Sequence, residues 1–446
     1  MFIYRLLQAF LRVVSRIFFR QIEVVGLENV PTEGRGPVIF AGNHPNSLID
    51  PVLIIAFSGR IVHFAAKDVL FQSWLLRVVL RGLGAVPIAR RADHGEGAVQ
   101  NDSAFTALND VLKSGRAMGI FPEGLSHDAS QIAQLKTGAA RIAFSAAAEG
   151  VPLQIIPVGI TYVRRRRFRS RVLLQFGEPI PVAAEEPTRE AVRTLTTTIE
   201  TGLRALTVNA EDWDTLRVLD GVRRLYQPAG IAVRDRIELA RRFSTHYADL
   251  KDQPEIGALY AQISAYLERL DEAGLSDADL QRGAALGGAV PRLLRHLALA
   301  LIWLPLAIPG FIVHAPVGLL AIFAGRVLTP RKDVIATSKL VAGILGAIAM
   351  YALLVAFTGL GYGPLPALGM ALFLPLTGLA TLRVFDRATS IRRWGRTLVR
   401  LSRLDEDVND LRAERDGLEA AVVRTVERFK PEDLVALFPR TSPDPQ

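Results

Sequence analysis

Between Leu297 and Gly325, and again between Leu340 and Leu382, the chain carries no formal charge. Apolar runs of this length restrict folding strongly, because in lipid the backbone polar groups must be satisfied within helices or closed barrels. The second run is long enough for two spans of about 20 residues. "GLGYGPLP" interrupts it near the middle, so a transmembrane hairpin is expected at 340–357 and 365–382. The first run, 297–325, is too short for two full crossings and contains Pro305, Pro309 and Pro316. It reads as a re-entrant element or as one tilted span. Arg292 and Arg295 precede it, Arg326, Arg331, Lys332 and Lys339 follow it, and Arg383, Arg387, Arg392 and Arg393 follow the hairpin, whose own turn has no basic residue. Basic flanks prefer the cytoplasmic side. All three basic segments then share one face, with the first run entering and leaving by it.

The remainder of the chain divides by pattern. In "MFIYRLLQAFLRVVSRIFFR", Arg5, Arg12, Arg16 and Arg20 fall on one side of a wheel turning about 100° per residue, with apolar residues around the rest. Residues 1–20 are therefore expected to form an amphipathic helix lying on a membrane surface; the regular arginines do not suit a signal peptide. From 21 to 205, apolar runs such as "GPVIFAGN", "IVHFAAK" and "LQIIPVGITYV" alternate with helical stretches such as "GAARIAFSAAAEG". This predicts an α/β domain with a central mixed sheet flanked by helices. Residues 206–290 read as a charged helical appendage, 291–383 as the membrane region and 384–446 as a polar helical tail.

A formal charge of +9 favours anionic lipid or phosphorylated metabolites as partners in so apolar a chain, and no nucleic-acid fold signature is present. The chain has no cysteine, which excludes disulfides, thiolate metal sites and a cysteine acyl-enzyme. No histidine or acidic cluster has metal-ligand spacing, so no metal is expected.

Four stretches of the α/β region carry chemistry: "NHPNSLID" (43–50), "GAVPIAR" (84–90), "FPEGLS" (121–126) and "IIPVG" (155–159). In order and spacing they resemble the four blocks of the glycerophospholipid acyltransferase family, over roughly 36–180. The family's usual first block places four residues between histidine and aspartate; here there are five. The longer interval, with Asn46 and "DP", resembles the fungal-type branch acting on glycerol 3-phosphate or dihydroxyacetone phosphate. That branch also carries C-terminal hydrophobic segments. Six positions rotate about 240° on a helix, so His44 and Asp50 can meet only across a turn. With Pro45 and Pro51 bracketing the interval, the helix is expected to begin at "PVLIIAF".

A hydroxyl attacking a thioester must lose its proton, and histidine is suited to accept it. His44 is the candidate general base, and Asp50 the partner that fixes its tautomer. The resemblance implies a polyol-phosphate site formed by Arg90, Glu123 and Gly124: Arg90 contacting phosphate, Glu123 accepting from a polyol hydroxyl, and Gly124 allowing close backbone approach. Lys67, Lys136 and Ser126 complete the candidate substrate-binding set. "RRRRFRSR" (164–171) is read as a grip on anionic lipid, on the phosphates of coenzyme A or on an acidic carrier protein, or as a solvated loop.

The resemblance thus implies a membrane-bound O-acyltransferase that transfers a fatty acyl group from a coenzyme A or carrier-protein thioester, with no bound cofactor. Glycerol 3-phosphate or dihydroxyacetone phosphate is the expected acceptor, with 1-acylglycerol 3-phosphate the alternative. A membrane tether or lipid-binding protein on a degenerate acyltransferase fold is the reading of another class. The expected location is the cytoplasmic face of a membrane. The absence of eukaryotic sorting signals points to a bacterial inner membrane.

Overall fold

The structure is a computed structural model that describes residues 2–72, 74–88, 102–183, 187–210, 212–227, 231–272, 277, 280, 289–327, 329, 331–401 and 405–430. It divides into two compact units: Met1–Asp212 with Arg331–Thr337, and Trp213–Pro330 with Ser338–Gln446.

The first unit is α/β. In chain order its elements are α1 (Phe2–Phe18), β1 (Phe19–Val25), β2 (Val38–Gly42), α2 (Ile49–Phe57), β3 (Val62–Lys67), α3 (Trp74–Gly82), β4 (Val86–Ile88), α4 (Asp102–Lys113), β5 (Ala117–Ile120), α5 (Gly138–Ala148), β6 (Gln154–Tyr162), β7 (Ser170–Phe176), β8 (Ile180–Pro181) and α6 (Arg189–Leu206). The sheet order is β1-β7-β6-β2-β5-β3-β4, with β8 paired to β6. β6 runs antiparallel to β7 and β8, and the other pairings are parallel, so the sheet is mixed as expected.

Central β2 is buried throughout, as its unbroken apolar run requires of a strand covered on both faces. Leu108 and Leu112 of α4, the alanine-rich face of α5, and Ile199 and Leu203 of α6 pack with Ile39 and Ile155 in one core. From β2 the chain crosses past β5 to β3, and from β5 it returns past β2 to β6. The reversal opens a crevice at the carboxyl ends of β2 and β5, the usual ligand position in such sheets. His44 follows β2 and Glu123 follows β5.

α1 has three sectors. Tyr4, Gln8, Ser15 and Phe18 are buried, and Gln8 Nε2 donates to Ile55 O at 2.7 Å and Arg60 O at 3.1 Å. Arg12 donates to Ala56 O at 2.9 Å, and Arg5 pairs with Glu33. Phe2, Ile3, Leu6, Phe10, Val13 and Ile17 are exposed, and at about 100° per residue they share one stripe about 100° wide.

The second unit is helical: α7 (Trp213–Tyr226), α8 (Val233–Leu250), α9 (Pro254–Glu272), α10 (Ala289–Val327), α11 (Ile335–Tyr362, its first three residues in the first unit), α12 (Pro364–Leu401) and α13 (Asp405–Phe429). The appendage and the tail, expected as separate pieces, share one core. Leu411, Leu418 and Val422 of α13 pack with Val218, Leu225, Tyr266 and Leu267 of α7 and α9. At its edge Asp277 accepts from Tyr266 Oη at 3.1 Å and Arg415 Nε at 2.9 Å.

Three helices, Leu294–Val327, Ile335–Tyr362 and Pro364–Arg392, are long and apolar enough to cross a membrane. The helices flanking the "GLGYGPLP" turn extend beyond the expected hairpin, to 335 and to 401. α10 is helical from Ala289 to Val327 with Pro305, Pro309 and Pro316 inside it, and its course turns back near its middle. Its first half runs antiparallel to the later half of α12: His296 meets Arg387, Trp303 meets Arg383, and Gly310 lies against Thr377. Its second half runs antiparallel to the early half of α11: His314 bonds Tyr351 Oη at 2.7 Å, Gly346 lies against Val317 and Leu320, and Gly325 lies against Lys339. Both ends of α10 thus lie beside the open end of the α11–α12 hairpin, away from its turn at Gly363.

Candidate active site

His44 and Asp50 meet across a turn. Ser47 takes a left-handed φ of 46°, Ile49 N bonds Asn46 O at 3.1 Å and Asp50 N bonds Ser47 O at 3.3 Å. This starts α2 at Ile49, two residues before the expected Pro51. Asp50 therefore sits inside the first turn, and its side chain turns to the histidine. His44 Nδ1 lies 2.8 Å from Asp50 Oδ2, and Asp50 is fully buried. The same carboxylate accepts from Asn46 N at 2.7 Å and from Tyr162 Oη, on β6, at 2.6 Å. Burial, followed by the Asp50 charge, pushes the Tyr162 hydroxyl well above its usual pKa, so it stays a donor.

The imidazole is also held by stacking. The His44 and Phe121 rings are 4.0 Å apart and 6° from parallel, and Phe121 stacks in turn on Phe64. A Cβ at Gly42 would lie 3.0 Å from the Phe121 ring, and one at Gly119 2.2 Å from the Phe64 ring, so both glycines make room for the stack. With Nδ1 directed at Asp50, the other ring nitrogen, Nε2, has no hydrogen-bond partner among the described residues.

Glu123 is 2% exposed. Its Oε1 accepts from His44 N at 2.8 Å, and its Oε2 accepts from Ala133 N at 2.8 Å and from His127 Nε2. His127 N in turn donates to His44 O at 3.2 Å. Glu123 of the third block and His127 just after it therefore hold His44 at its N–H and its carbonyl, and the carboxylate read from sequence as a polyol acceptor already takes three internal donors. The Glu123 hydrogen bond raises the His127 pKa against the opposing effect of burial.

Gly124 has φ 75°, and a Cβ there would lie 2.6 Å from Lys136 Nζ, so the lysine lies along the glycine backbone. Ser126 Oγ donates to Asp333 rather than facing an open site. Arg90 and the side chain of Lys67 lie outside the described residues; the backbone puts Lys67 opposite Ile88, at the same carboxyl edge of the sheet.

The arginine run folds onto the site. Arg165 and Arg166 pair with Asp128, and Arg165 donates to Pro45 O and His127 O, both at 3.4 Å. Arg169 Nη1 donates to Arg16 O and Ile17 O at 3.0 Å, satisfying carbonyls at the end of α1. Tyr162, Phe121 and the Arg165 contacts were not read from the sequence. Only the position of Tyr162 in an apolar run predicted to be a strand could have directed attention to it.

Two family models match this chain: "Acyltransferase" over residues 21–161, and "Glycerol-3-phosphate acyltransferase 2 C-terminal domain" over 218–434. Together with the first and third blocks gathered at one sheet edge, they place the chain in the glycerophospholipid acyltransferase family. Within it, the match to the C-terminal half assigns the chain to the fungal glycerol-3-phosphate acyltransferase branch. The chain is 31% identical over 57% of its length to Glycerol-3-phosphate O-acyltransferase 2 of Saccharomyces cerevisiae, of which it spans only 37%. It is 26% identical over 99% of its length to an uncharacterized acyltransferase of Schizosaccharomyces pombe, spanning 83% of that protein. A probable 1-acyl-sn-glycerol-3-phosphate acyltransferase of Mycoplasma pneumoniae is 27% identical over 42% of this chain and 66% of its own length. The yeast relatives give no support to the expected bacterial inner membrane.

Proposed function

We propose that this chain transfers a fatty acyl group from a thioester to a hydroxyl of glycerol 3-phosphate or dihydroxyacetone phosphate, in phospholipid synthesis at a membrane. The observation that carries the reading is the stacked and buried-carboxylate-backed His44, with Nε2 free of hydrogen-bond partners among the described residues.

Nε2 takes the proton of the acceptor hydroxyl as its oxygen attacks the thioester carbonyl. The tetrahedral intermediate collapses by breaking the C–S bond, and the imidazolium returns the proton to the departing thiolate. Asp50 stays ionised throughout and stabilises the imidazolium. General-base help is worth about 10² to 10⁴-fold, and holding both substrates in line supplies much of the rest. Lys136, laid along Gly124, supplies a cation for the acceptor phosphate, a role that Arg90 and Lys67 share by resemblance. No metal or bound cofactor is required for any step. Coenzyme A and a carrier protein are both chemically suitable donors.

The exposed stripe of α1 rests in the lipid interface, where a long-chain product partitions. The open end of the α11–α12 hairpin carries the basic flanks, so we place it on the cytoplasmic side with both ends of α10, which makes α10 re-entrant. Anionic headgroups complement these flanks.

Thiol release from acyl-coenzyme A, measured with glycerol 3-phosphate and then with 1-acylglycerol 3-phosphate, tests the reading. Release only with the second acceptor would transfer the assignment to lysophospholipid acylation, the activity named for the Mycoplasma relative.

A further inference from the structure

The segment joining α10 to α11 belongs, by its contacts, to the α/β unit. Within it Asp333 is 4% exposed, Ala336 is fully buried and Thr337 is 6% exposed, although "RKDVIAT" reads in sequence as an ordinary basic flank between two apolar helices. Asp333 accepts from Ser126 Oγ and from Arg331 Nη2 at 2.8 Å, and Arg331 Nη2 also donates to Ser126 O at 2.9 Å. Ser126 is thereby held at both its hydroxyl and its carbonyl by residues more than 200 positions away. The next residue, His127, bonds His44 O and Glu123, which in turn bonds His44 N.

We propose that Asp333 and Arg331 are positioning residues of the acyltransferase site, clamping Ser126 so that the third block holds the His44 peptide in register. The α/β domain is then completed by a piece of the membrane region, and a chain ending before α10 would lack part of its site. This assigns Ser126 to the clamp instead of to substrate. Burial alone would push the Asp333 carboxyl up, but its bonds from Ser126 and Arg331 and the Arg331 charge outweigh that and hold it below the usual range, so the clamp is ionic at neutral pH.

The inference rests on the acyltransferase reading for its catalytic consequence, but the clamp itself can be tested without activity. In the full-length protein, Asp333→Ala should speed amide exchange at His127 and its third-block neighbours about tenfold or more, while exchange in the core of α5 is unchanged. It should lower kcat by up to about 10²-fold, the effect of a small misplacement of a catalytic group, with little change in KM. Asp333→Glu should recover part of the loss. Ser126→Ala should act in the same direction, and the double variant should be no worse than Asp333→Ala alone, because the two residues act as one unit. Should Asp333→Ala fail to fold, Asp333→Asn keeps the shape and removes the charge, and should show the same two effects more weakly. Wild-type exchange and wild-type kcat in these variants, or strictly additive losses in the double variant, would overturn the clamp. An inactive wild type would sink the acyltransferase reading, and the exchange data alone would then decide the clamp.

Discussion

Asp50 is a fully buried carboxylate with three donors, His44, Asn46 N and Tyr162 Oη, and each contributes to keeping it charged out of water. Removing one donor leaves the others in place but unbalances the site. Tyr162→Phe deletes a hydrogen bond to a charged group, worth about 1.5–3 kcal/mol, and should lower kcat about tenfold while the fold persists by circular dichroism. The pairing of His127 with Glu123 gives a pH dependence of definite sign. The folded pKa of His127 lies above its usual value. The pair's contribution is therefore complete below about pH 6.5 and is lost as pH rises through the elevated folded value. Melting temperature should fall over that range, and His127→Gln should remove this part of the slope. At this scale the dyad was legible through the resemblance of the four blocks to the acyltransferase family, and the bracketing prolines made a turn the expected way for histidine and aspartate to meet. The role of Glu123 was not, because its donors include backbone amides at 44 and 133, which have no signature in sequence. Tyr162 was not, because it stands 112 residues from the aspartate it serves.

Among the elements, α1 was legible as amphipathic, but the sequence did not divide its apolar side into a buried and an exposed sector. That division depends on Tyr4 and Gln8 reaching β3 and the end of α2. Phe10→Asp replaces an exposed apolar group on the stripe without touching the buried sector. Since burying such a side chain is worth about 1.5–3 kcal/mol, partitioning of a synthetic peptide of residues 1–20 onto anionic vesicles should weaken tenfold or more. The prolines of α10 suggested a broken, re-entrant element; the residues are helical throughout, and the course turns back near Gly310–His314, among those prolines. Because the chain has no cysteine, single cysteines can report its topology cleanly. Leu294→Cys and Val327→Cys should react with an impermeant maleimide from the same side of a sealed vesicle, and Gly361→Cys from the other. Labelling of the first two from opposite sides would make α10 a plain span.

For the molecule as a whole, the alternation of apolar runs and helices was enough to predict a mixed α/β sheet, and the uncharged runs fall within the three helices long and apolar enough to cross a membrane. What sequence did not disclose is that these regions are interleaved. The tail helix α13 packs into the same core as α7 and α9, and residues 331–337 join the α/β unit. Long-range packing of this kind depends on shape complementarity between distant segments, which local periodicity does not encode. The measurement that tests the central claim most directly is thiol release from acyl-coenzyme A, and if needed from an acyl carrier protein, by the purified full-length protein and by His44→Ala. Acceptor-dependent release that falls about 10² to 10⁴-fold in the variant is the predicted result. Release that the substitution leaves unchanged would remove His44 from the chemistry, and no release from either donor with either acceptor would contradict an acyltransferase altogether.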